Sequence, residues 1–219
     1  MAHGGNVDGM VRVLAIADEE IPGVESRTHD LSVDLVLAAG DLPWPYLESL
    51  VSLLDAPAAY VPGNHDPRTG RGVGPRGLFD VDGHVLTVGG LRVAGLGGCV
   101  RYNEGPHQYT QSEYDKRARR LLRQASDTAA VDVLLTHAPP LGLGDEPDDP
   151  CHVGISALHG VLETLRPTWH LHGHIHPYGM HKPDRQLGPT TIRNVIPWHV
   201  MDIEPQPAVR STAGAGRRA

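Results

Sequence analysis

Four short runs of almost unbroken apolar residues constrain the fold of this chain more than any other feature. They are VRVLAIAD (11–18), DLVLAAGD (34–41), AAYVPGNHD (58–66) and VDVLLTHAPP (131–140). Each run has the length of a β-strand, and a strand without polar alternation is usually covered on both faces. Strands of this kind are typical of α/β proteins, in which helices pack over a largely parallel sheet. The runs therefore predict an α/β fold.

Helical spacing appears in the segments between and after these runs. Apolar residues share one helical face in three segments, which we expect to form helices: 47–54, 113–125 and 155–165. The segment 84–96 predicts a β-hairpin, because Gly89-Gly90 supplies the positive φ angles that a two-residue turn needs. A further strand is predicted within 193–204.

Size and composition fit one domain. The chain has 219 residues, of which 40% are hydrophobic, and both values are ordinary for a single globular domain. No segment approaches the ~20 apolar residues of a membrane span, and the N-terminus has no apolar signal region. Cys99 and Cys151 form no CxxC motif and fit a reducing compartment. We therefore expect a cytoplasmic protein with one domain over 11–204, between disordered tails at 1–10 and 205–219.

The charge balance limits the partners of the chain. It carries 19 basic and 26 acidic residues, a formal net charge of −7. A general nucleic-acid-binding protein has a basic surface, so the balance argues against a nucleic-acid partner. The 14 histidines are the anomaly in the composition, since neutral imidazole is the commonest metal ligand. Nothing in the sequence indicates an oligomeric state or a membrane partner.

The segment WHLHGHIH (169–176) holds four of the histidines. Their alternation with other residues has the period of a β-strand and predicts that they share one strand face. Packing alone is one interpretation of such a face, and metal binding is the other. We expect His174 and His176 to belong to a metal site, and His170 and His172 to be hydrogen-bonded structural residues behind it.

Residues able to bind metal also follow the other apolar runs. They are Asp18, Asp41, the segment GNHD (63–66) and His137. In open α/β sheets, ligands bind outside the carboxyl ends of the strands. These residues are therefore expected to meet His174 and His176 in one crevice, although they lie far apart in the sequence.

The ordered set of motifs resembles the calcineurin-like metallophosphoesterase family. The family blocks are D-x-H, G-D, G-N-H-D/E, a histidine after an apolar strand, and G-H-x-H. This chain reads, in the same order, DEE (18–20), GD (40–41), GNHD (63–66), TH (136–137) and GHIH (173–176). The resemblance spans about residues 11–203. It implies an α/β fold of the four-layer αββα type, with two mixed β-sheets and a dimetal site at the C-terminal ends of the strands.

The resemblance also implies which side chains hold two divalent metal ions. The implied ligands are Asp18, Asp41 and His176 for the first metal, and Asp41 as a bridge, Asn64, His137 and His174 for the second. Imidazoles suit zinc, iron or manganese, and carboxylates keep manganese competitive. Two metals ~3.5–4 Å apart polarise a phosphoryl group and activate a water, here as a bridging hydroxide.

Glu20 marks the point where the chain departs from the family. The D-x-H block is replaced by Asp18-Glu19-Glu20, so Glu20 stands where the family has a histidine. Two alternatives follow: Glu20 binds the first metal in place of the histidine, or it points into solvent and that metal is held weakly. We favour ligation. His29 is a further candidate, but its position suggests an exposed helix face.

The remaining implied roles concern catalysis and substrate binding. By motif position, His65 faces the substrate and protonates the leaving oxygen as general acid, and Asp66 orients its ring. A loop cap before Pro67 is the alternative for Asp66. The residues that we expect to line the substrate cleft are Arg101, Tyr102, His107, Tyr109 and His152. Surface loop packing is the alternative for this second group.

The function favoured by the sequence is that of a dinuclear metal-dependent phosphoesterase acting on a small phosphodiester such as a cyclic nucleotide. Protein phosphatases of the family carry G-D-x-V-D-R, whereas this chain reads GDLPWPY (40–46), so a phosphoprotein substrate is disfavoured. The alternative within the class is a phosphomonoesterase acting on nucleotides or other small phosphates. The alternative from another class is a non-catalytic, metal-bearing scaffold that binds proteins, and the presence of His65 favours an enzyme.

Overall fold

Two β-sheets stacked face to face form the centre of the chain in a computed structural model, which describes residues 9–27, 31–125, 130–180 and 182–207. The strands are β1 (Val11–Ile16), β2 (Leu35–Ala38), β3 (Ala58–Tyr60), β4 (Leu78–Asp80), β5 (Val85–Val88), β6 (Leu91–Leu96), β7 (Cys99–Val100), β8 (Gln108–Tyr109), β9 (Val133–Thr136), β10 (Trp169–His172), β11 (Arg185–Leu187), β12 (Thr190–Asn194) and β13 (Trp198–Ile203). The helices are α1 (Trp44–Leu54), α2 (Gln111–Ala125) and α3 (Leu158–Leu165), and a short 3-10 turn covers Val24–Ser26.

Both large sheets are mixed, with parallel strands at their centres. The first sheet has the order β13-β1-β2-β3-β4, in which β1 to β4 are parallel and β13 is antiparallel to β1. The second has the order β11-β12-β10-β9-β6-β5, with four parallel inner strands and antiparallel edges. The short strands β7 and β8 pair separately. The carboxyl ends of β1, β2 and β3 in one sheet therefore meet those of β9 and β10 in the other.

Apolar side chains form three clusters, one between the two sheets and one on the outer face of each sheet. Between the sheets, alternate residues of the central strands are buried, including Val13, Ala15, Leu37, Leu135 and Leu171. The opposite face of the first sheet packs under α1, and that of the second sheet packs under α2 and α3. The observed architecture is therefore the four-layer αββα sandwich that the resemblance to the family implied.

The helices begin and end where local chemistry requires. Thr110 and Glu113 form a capping box at the start of α2, because each backbone amide donates to the other side chain, at 2.8 and 3.2 Å. Tyr114, Ala118 and Leu121 then lie buried on one face of α2. Helix α1 carries a proline in its first turn and ends at Asp55, whose φ of 49° stops the helix. Within the described residues, no helix is long and apolar enough to cross a membrane.

Most sequence predictions of secondary structure are confirmed. The four apolar runs form β1, β2, β3 and β9, and the three helical segments form α1, α2 and α3. Strands β5 and β6 form the expected hairpin, with Gly89 and Gly90 at φ 56° and 88°. The segment 193–204 holds the end of β12 and all of β13. The predicted tails lie mostly in 1–8 and 208–219, outside the described residues.

The prediction of one continuous strand over 169–176 is wrong. Strand β10 ends at His172, and the chain turns away at Gly173 and His174, whose φ is 69°. His170 and His172 point to the helix-covered side of the sheet, opposite the inward-facing Leu171. The four histidines therefore do not share a face. They alternate through the whole segment 169–176, but the strand ends at His172, so only His170 and His172 lie on a strand face.

Candidate metal centre

The five loops that follow β1, β2, β3, β9 and β10 bring the motif residues together. Three of these residues have positive φ: Asp18 (63°), Asp41 (56°) and His174 (69°). This conformation costs a residue other than glycine roughly 1–2 kcal/mol, and such strain concentrates at functional sites. Each of the three turns sharply just after its strand ends, which directs its side chain into the crevice between the two sheets.

Two glycines allow the carboxylates to approach the neighbouring backbone. A Cβ atom at Gly63 would collide with the carboxylate of Asp41, and one at Gly173 would collide with that of Asp18. Any larger residue at these positions would displace the carboxylates. The glycines of the GNHD and GHIH motifs are therefore needed for close approach of the loops.

His137 shows that the crevice is built for a cation. Its Nδ1–H donates to the carbonyl of Ala39 at 2.7 Å, so the lone pair of a neutral ring lies on Nε2. That nitrogen is 3.0 Å from Asn64 Oδ1 and 3.3 Å from Asp41 Oδ2. Three atoms that offer lone pairs thus converge, and only a proton or a metal ion between them relieves their repulsion. The donor set suits a divalent metal.

Charges inside the crevice are strongly coupled. Burial opposes ionisation of His137, but Asp41 and Asp18 outweigh it and raise the pKa of His137 to about 9. Burial also opposes the charge on Asp41, but His137 outweighs it and lowers the pKa of Asp41 to about 2. Burial raises the pKa of Asp18 to about 6. Without a metal, the proton on His137 therefore compensates the carboxylates, and a bound metal would replace that proton.

His174 has the orientation typical of a histidine metal ligand. Its Nε2 contacts the carbonyl of Cys151 at 2.9 Å, which leaves the lone pair on Nδ1. Its backbone amide donates to Asp18 Oδ2 at 3.0 Å, and its ring centroid lies 4.9 Å from that of His137. Burial lowers the pKa of His174 to about 3, so its ring is neutral. Histidines that bind metals usually donate their other ring N–H to a carbonyl or carboxylate, as both rings do here.

On the other side of the crevice, the structure brings Glu19 rather than Glu20 beside His176. His176 Nε2 lies 3.6 Å from Asp18 Oδ1, and its Nδ1 lies 3.3 Å from Glu19 Oε1. Glu20 is exposed, and its charge acts on the phenol of Tyr46. The expectation that Glu20 joins the cluster is therefore not met. Glu19 lies at the end of a three-residue turn centred on Asp18, in which the Glu19 amide donates to the carbonyl of Ala17 at 2.6 Å.

Asp66 does not orient His65 as the sequence suggested. Its Oδ2 accepts hydrogen bonds from the backbone amides of Asp41 and Gly63, at 3.0 and 2.7 Å, rather than from the ring of His65. Asp66 thereby ties the loop after β2 to the loop after β3. The backbone amide of His65 donates to Asp41 Oδ1 at 2.8 Å, and its side chain is exposed at the rim of the crevice. The alternative interpretation of Asp66 as a loop-organising residue fits this geometry better.

The segment 99–109 lies against the crevice and contributes four of the predicted substrate residues. Tyr102 contacts Asn64, because the Asn64 Nδ2 donates to its hydroxyl at 3.1 Å. The other three, Arg101, His107 and Tyr109, line a separate cleft of about 470 Å³. The Nε2 of His107 lies 2.8 Å from the carbonyl of Pro67, so this cleft adjoins the loop that carries His65.

The fifth predicted substrate residue, His152, lies in the loop that covers His174. The two ring centroids are 5.2 Å apart in an edge-on arrangement. The Nδ1 of His152 is 2.7 Å from Asp149 Oδ2, and Glu146 completes a second group of possible metal ligands. Sequence reasoning missed Glu19, Asp149 and the Cys151 carbonyl. The acidic residues beside His152 were a visible signal for Asp149, but no sequence pattern reveals a backbone carbonyl.

His170 and His172 lie behind the crevice, as expected. The Nε2 of His170 contacts Thr136 Oγ1 at 2.8 Å, and Thr136 donates to the carbonyl of Ala138 at 2.7 Å. His172 contacts the carbonyl of Gly173 at 3.0 Å. Burial lowers the pKa of both rings, to about 4 for His172, so they are neutral supports of the loops that carry His137 and His174. His29 lies outside the described residues.

Comparisons with known proteins identify the family and the fold. Residues 3–178 match the calcineurin-like phosphoesterase family. A stretch of 49 residues is 49% identical to UPF0046 protein T07D4.2 of Caenorhabditis elegans, but it spans only 22% of this chain and 12% of that relative.

Similar folds occur among solved structures. The protein TT1561 of Thermus thermophilus aligns with a TM-score of 0.56 and 18% identity, over 84% of this chain and 88% of that one. GAP50, described as the anchor in the inner membrane complex of Plasmodium, aligns with a TM-score of 0.50 and 12% identity, over 84% of this chain and 71% of that one. At such identities the likeness shows the fold alone. Because the family match covers most of its length, the chain belongs to the calcineurin-like phosphoesterase family.

Proposed function

We propose that this chain is a dinuclear metal-dependent phosphoesterase that hydrolyses a small phosphodiester. The observation that carries the proposal is the convergence of three side chains in the crevice. His137 Nε2 lies 3.0 Å from Asn64 Oδ1 and 3.3 Å from Asp41 Oδ2. All three groups can bind a divalent cation, which would replace the proton that His137 carries in the absence of a metal. Divalent cations at such a site supply Lewis-acid activation of a phosphoryl group and of an attacking water.

The proposed ligands form two sets that share one carboxylate. Asp18, Asp41 and His176 hold the first metal, and Asp41, Asn64, His137 and His174 hold the second. The first set is richer in oxygen and the second is richer in nitrogen. Oxygen ligands suit manganese, and imidazole suits zinc or iron, so the two positions differ in preference.

His65 is the proposed general acid. Its backbone amide donates a hydrogen bond to Asp41 Oδ1 at 2.8 Å. The backbone of His65 therefore lies beside the carboxylate proposed to be shared by the two metals, and its side chain extends from there into solvent. From this position the imidazolium can donate a proton to the leaving oxygen as its bond to phosphorus breaks. Asp66 supports this arrangement through the backbone, by holding the GNHD loop against Asp41.

The charges of the cleft favour a diester over a monoester. The cleft is lined by the guanidinium groups of Arg68 and Arg101 and by the carboxylates of Asp82, Glu104 and Glu113. Arg101 pairs with Glu113 at 3.1 Å, and Asp82 pairs with Arg117. With no surplus of positive charge, this lining is poorly suited to the two negative charges of a phosphomonoester. A phosphodiester carries one charge, and its second ester group can extend toward Arg101 and His107. A cyclic nucleotide fits this description, and a nucleotide monoester is the alternative.

Metal removal and replacement test the proposal. The chelated protein is assayed with bis(p-nitrophenyl) phosphate, p-nitrophenyl phosphate and 2′,3′- and 3′,5′-cyclic nucleotides, before and after addition of Mn²⁺, Zn²⁺ or Fe²⁺. We expect no hydrolysis without metal and faster hydrolysis of diesters than of monoesters with it. Full activity after verified metal removal would exclude the proposed chemistry. Two bound metals without hydrolysis of any ester would favour the metal-bearing scaffold.

A further inference from the structure

The amide of Asn64 has two ends of nearly equal size, and only its oxygen can bind a metal. Asn64 is buried, with 3% of its surface exposed, so its two ends are set by the groups that surround them. One end, assigned as Oδ1, lies 3.0 Å from His137 Nε2. Because His137 donates its Nδ1–H to the carbonyl of Ala39, its Nε2 is the ring nitrogen that faces the amide oxygen. Two ligands of one metal ion would face each other in this way.

The other end of the amide meets Tyr102. Asn64 Nδ2 donates to the Tyr102 hydroxyl at 3.1 Å, across 38 positions of the sequence. A phenol can donate as well as accept, so this contact fixes where the outer end of the amide lies and not which of its two ends it is. Without the phenol, the Asn64 side chain would lose this partner and keep the contact of its Oδ1 end with His137.

Tyr102 is held in this place by a buried glutamine. Gln108 Oε1 accepts hydrogen bonds from the backbone amides of Tyr102 and Asn103, at 3.1 and 3.0 Å. Gln108 Nε2 donates to Asn103 Oδ1 at 2.7 Å, and only 5% of Gln108 is exposed. The loop that carries the phenol is therefore braced from within, and the ring has a fixed position against Asn64.

We propose that Tyr102 is a positioning residue, whose hydroxyl holds the Asn64 side chain in place against His137, where the amide oxygen faces the second metal position. This inference rests on the proposed function, since it assigns Asn64 as a metal ligand. It changes the role expected for Tyr102 from direct substrate contact to support of the metal centre.

Tyr102→Phe tests the proposal by removing one oxygen atom. The metal-stripped protein is titrated with Mn²⁺, and bound ions are counted by electron paramagnetic resonance of the free ion. We expect two sites in the parent, and in the variant a loss of about 10–100-fold in affinity at one of them, the usual effect of removing a partner of a metal ligand. Tyr109→Phe is the matched control, because Tyr109 lies in the same segment and its ring packs on Arg117 and Tyr114.

A second background separates support of the Asn64 side chain from general support of the loop. In Asn64→Ala the side chain that Tyr102 contacts is absent, so Tyr102 has nothing left to hold at the metal position. We expect Tyr102→Phe to cost no Mn²⁺ affinity in that background, a non-additive result. An equal loss in both backgrounds, or no loss in either, would overturn the proposal. A parent protein that binds fewer than two Mn²⁺ ions would overturn the proposed function and this inference together.

Discussion

Glu19 Oε1 lies 3.3 Å from His176 Nδ1, while His176 Nε2 faces Asp18 Oδ1 at 3.6 Å. The carboxylate thus holds the imidazole in the tautomer that leaves Nε2 free for a metal, an arrangement common around metal-binding histidines. Glu19 therefore supports the first proposed metal position through His176. In the family motif D-x-H, the histidine ligand stands at the next position, which is Glu20 in this chain.

Glu19→Ala is therefore expected to weaken the first metal site by about tenfold, because the ring of His176 loses its orienting partner. Glu20→Ala is the matched control and should bind two ions as the parent does. Calorimetric titration of the chelated proteins with Mn²⁺ measures both. The opposite order of effects would show that Glu20 is a ligand after all.

His65→Ala should lower turnover by roughly 10²–10⁴-fold, the usual contribution of general acid catalysis. Its metal content should stay at the parent value, since His65 is not a proposed ligand. The loss should be smaller for an ester with a nitrophenol leaving group, which needs no proton. His84→Ala serves as the control for removal of a histidine elsewhere. Parallel loss of metal and turnover in His65→Ala would instead identify His65 as a ligand.

Asp66→Ala should destabilise the fold, because the amides of Asp41 and Gly63 lose their shared acceptor. A buried amide left without a partner costs about 1–3 kcal/mol, so we expect a loss of at least about 2 kcal/mol in the free energy of unfolding. Urea denaturation measures it. Asp66→Asn should lose less, since its amide oxygen still accepts. If Asp66→Ala kept its stability but showed an altered pH–rate profile, Asp66 would act on His65 after all.

The chelated protein should become less stable as the pH rises from about 6.5 to about 9. The folded-state pKa of Asp18 is raised to about 6, mainly by burial, above its ordinary value of 3.8. That of His137 is raised to about 9, above its ordinary value of 6.5; burial opposes this shift, and Asp41 and Asp18 cause it. The contribution of Asp18 is lost by about pH 6, where the lowered pKa values of the buried His172 and His174 act in the opposite direction. The contribution of His137 is lost between about pH 6.5 and about pH 9, with nothing from those two rings to oppose it.

Thermal melts at several pH values test this expectation. The melting temperature of the chelated protein should fall by on the order of 5 °C across the range. The Mn²⁺-loaded protein should show a smaller fall, because the metal replaces the proton on His137. His137→Asn should remove most of this fall, because His137 is the group that titrates between about pH 6.5 and about pH 9. A melting temperature of the chelated parent that rises across this range would contradict the charge assignment.

The α/β class and the crevice could be read from sequence because both depend on local pattern, whereas the four layers were implied by the resemblance to the family. Continuous apolar runs identified β1, β2, β3 and β9, and parallel strands necessarily bring their carboxyl ends to one edge. The choice between Glu19 and Glu20 could not be read, because it depends on the left-handed backbone of Asp18. A positive φ at aspartate leaves no mark in a sequence.

Long-range polar contacts account for the rest of what sequence reasoning missed. The role of Asp66 depends on two backbone amides that come within reach only after β2 and β3 pair. The contact between Asn64 and Tyr102 likewise requires the segment 99–109 to fold back over the GNHD loop. Neither partner follows from residue spacing, which specifies the periodicity of an element but not what its loops touch.

The hydrogen bond from His137 to the Ala39 carbonyl joins the two halves of the sandwich, since β9 and β2 belong to different sheets. The position of the His137 ring therefore depends on the distance between the two sheets. A change in the apolar filling, such as Leu171→Ala, would let the sheets settle by a fraction of an ångström and move Nε2 relative to Asp41. Ion affinity in this protein is thus tied to the volume of side chains that never touch the ion.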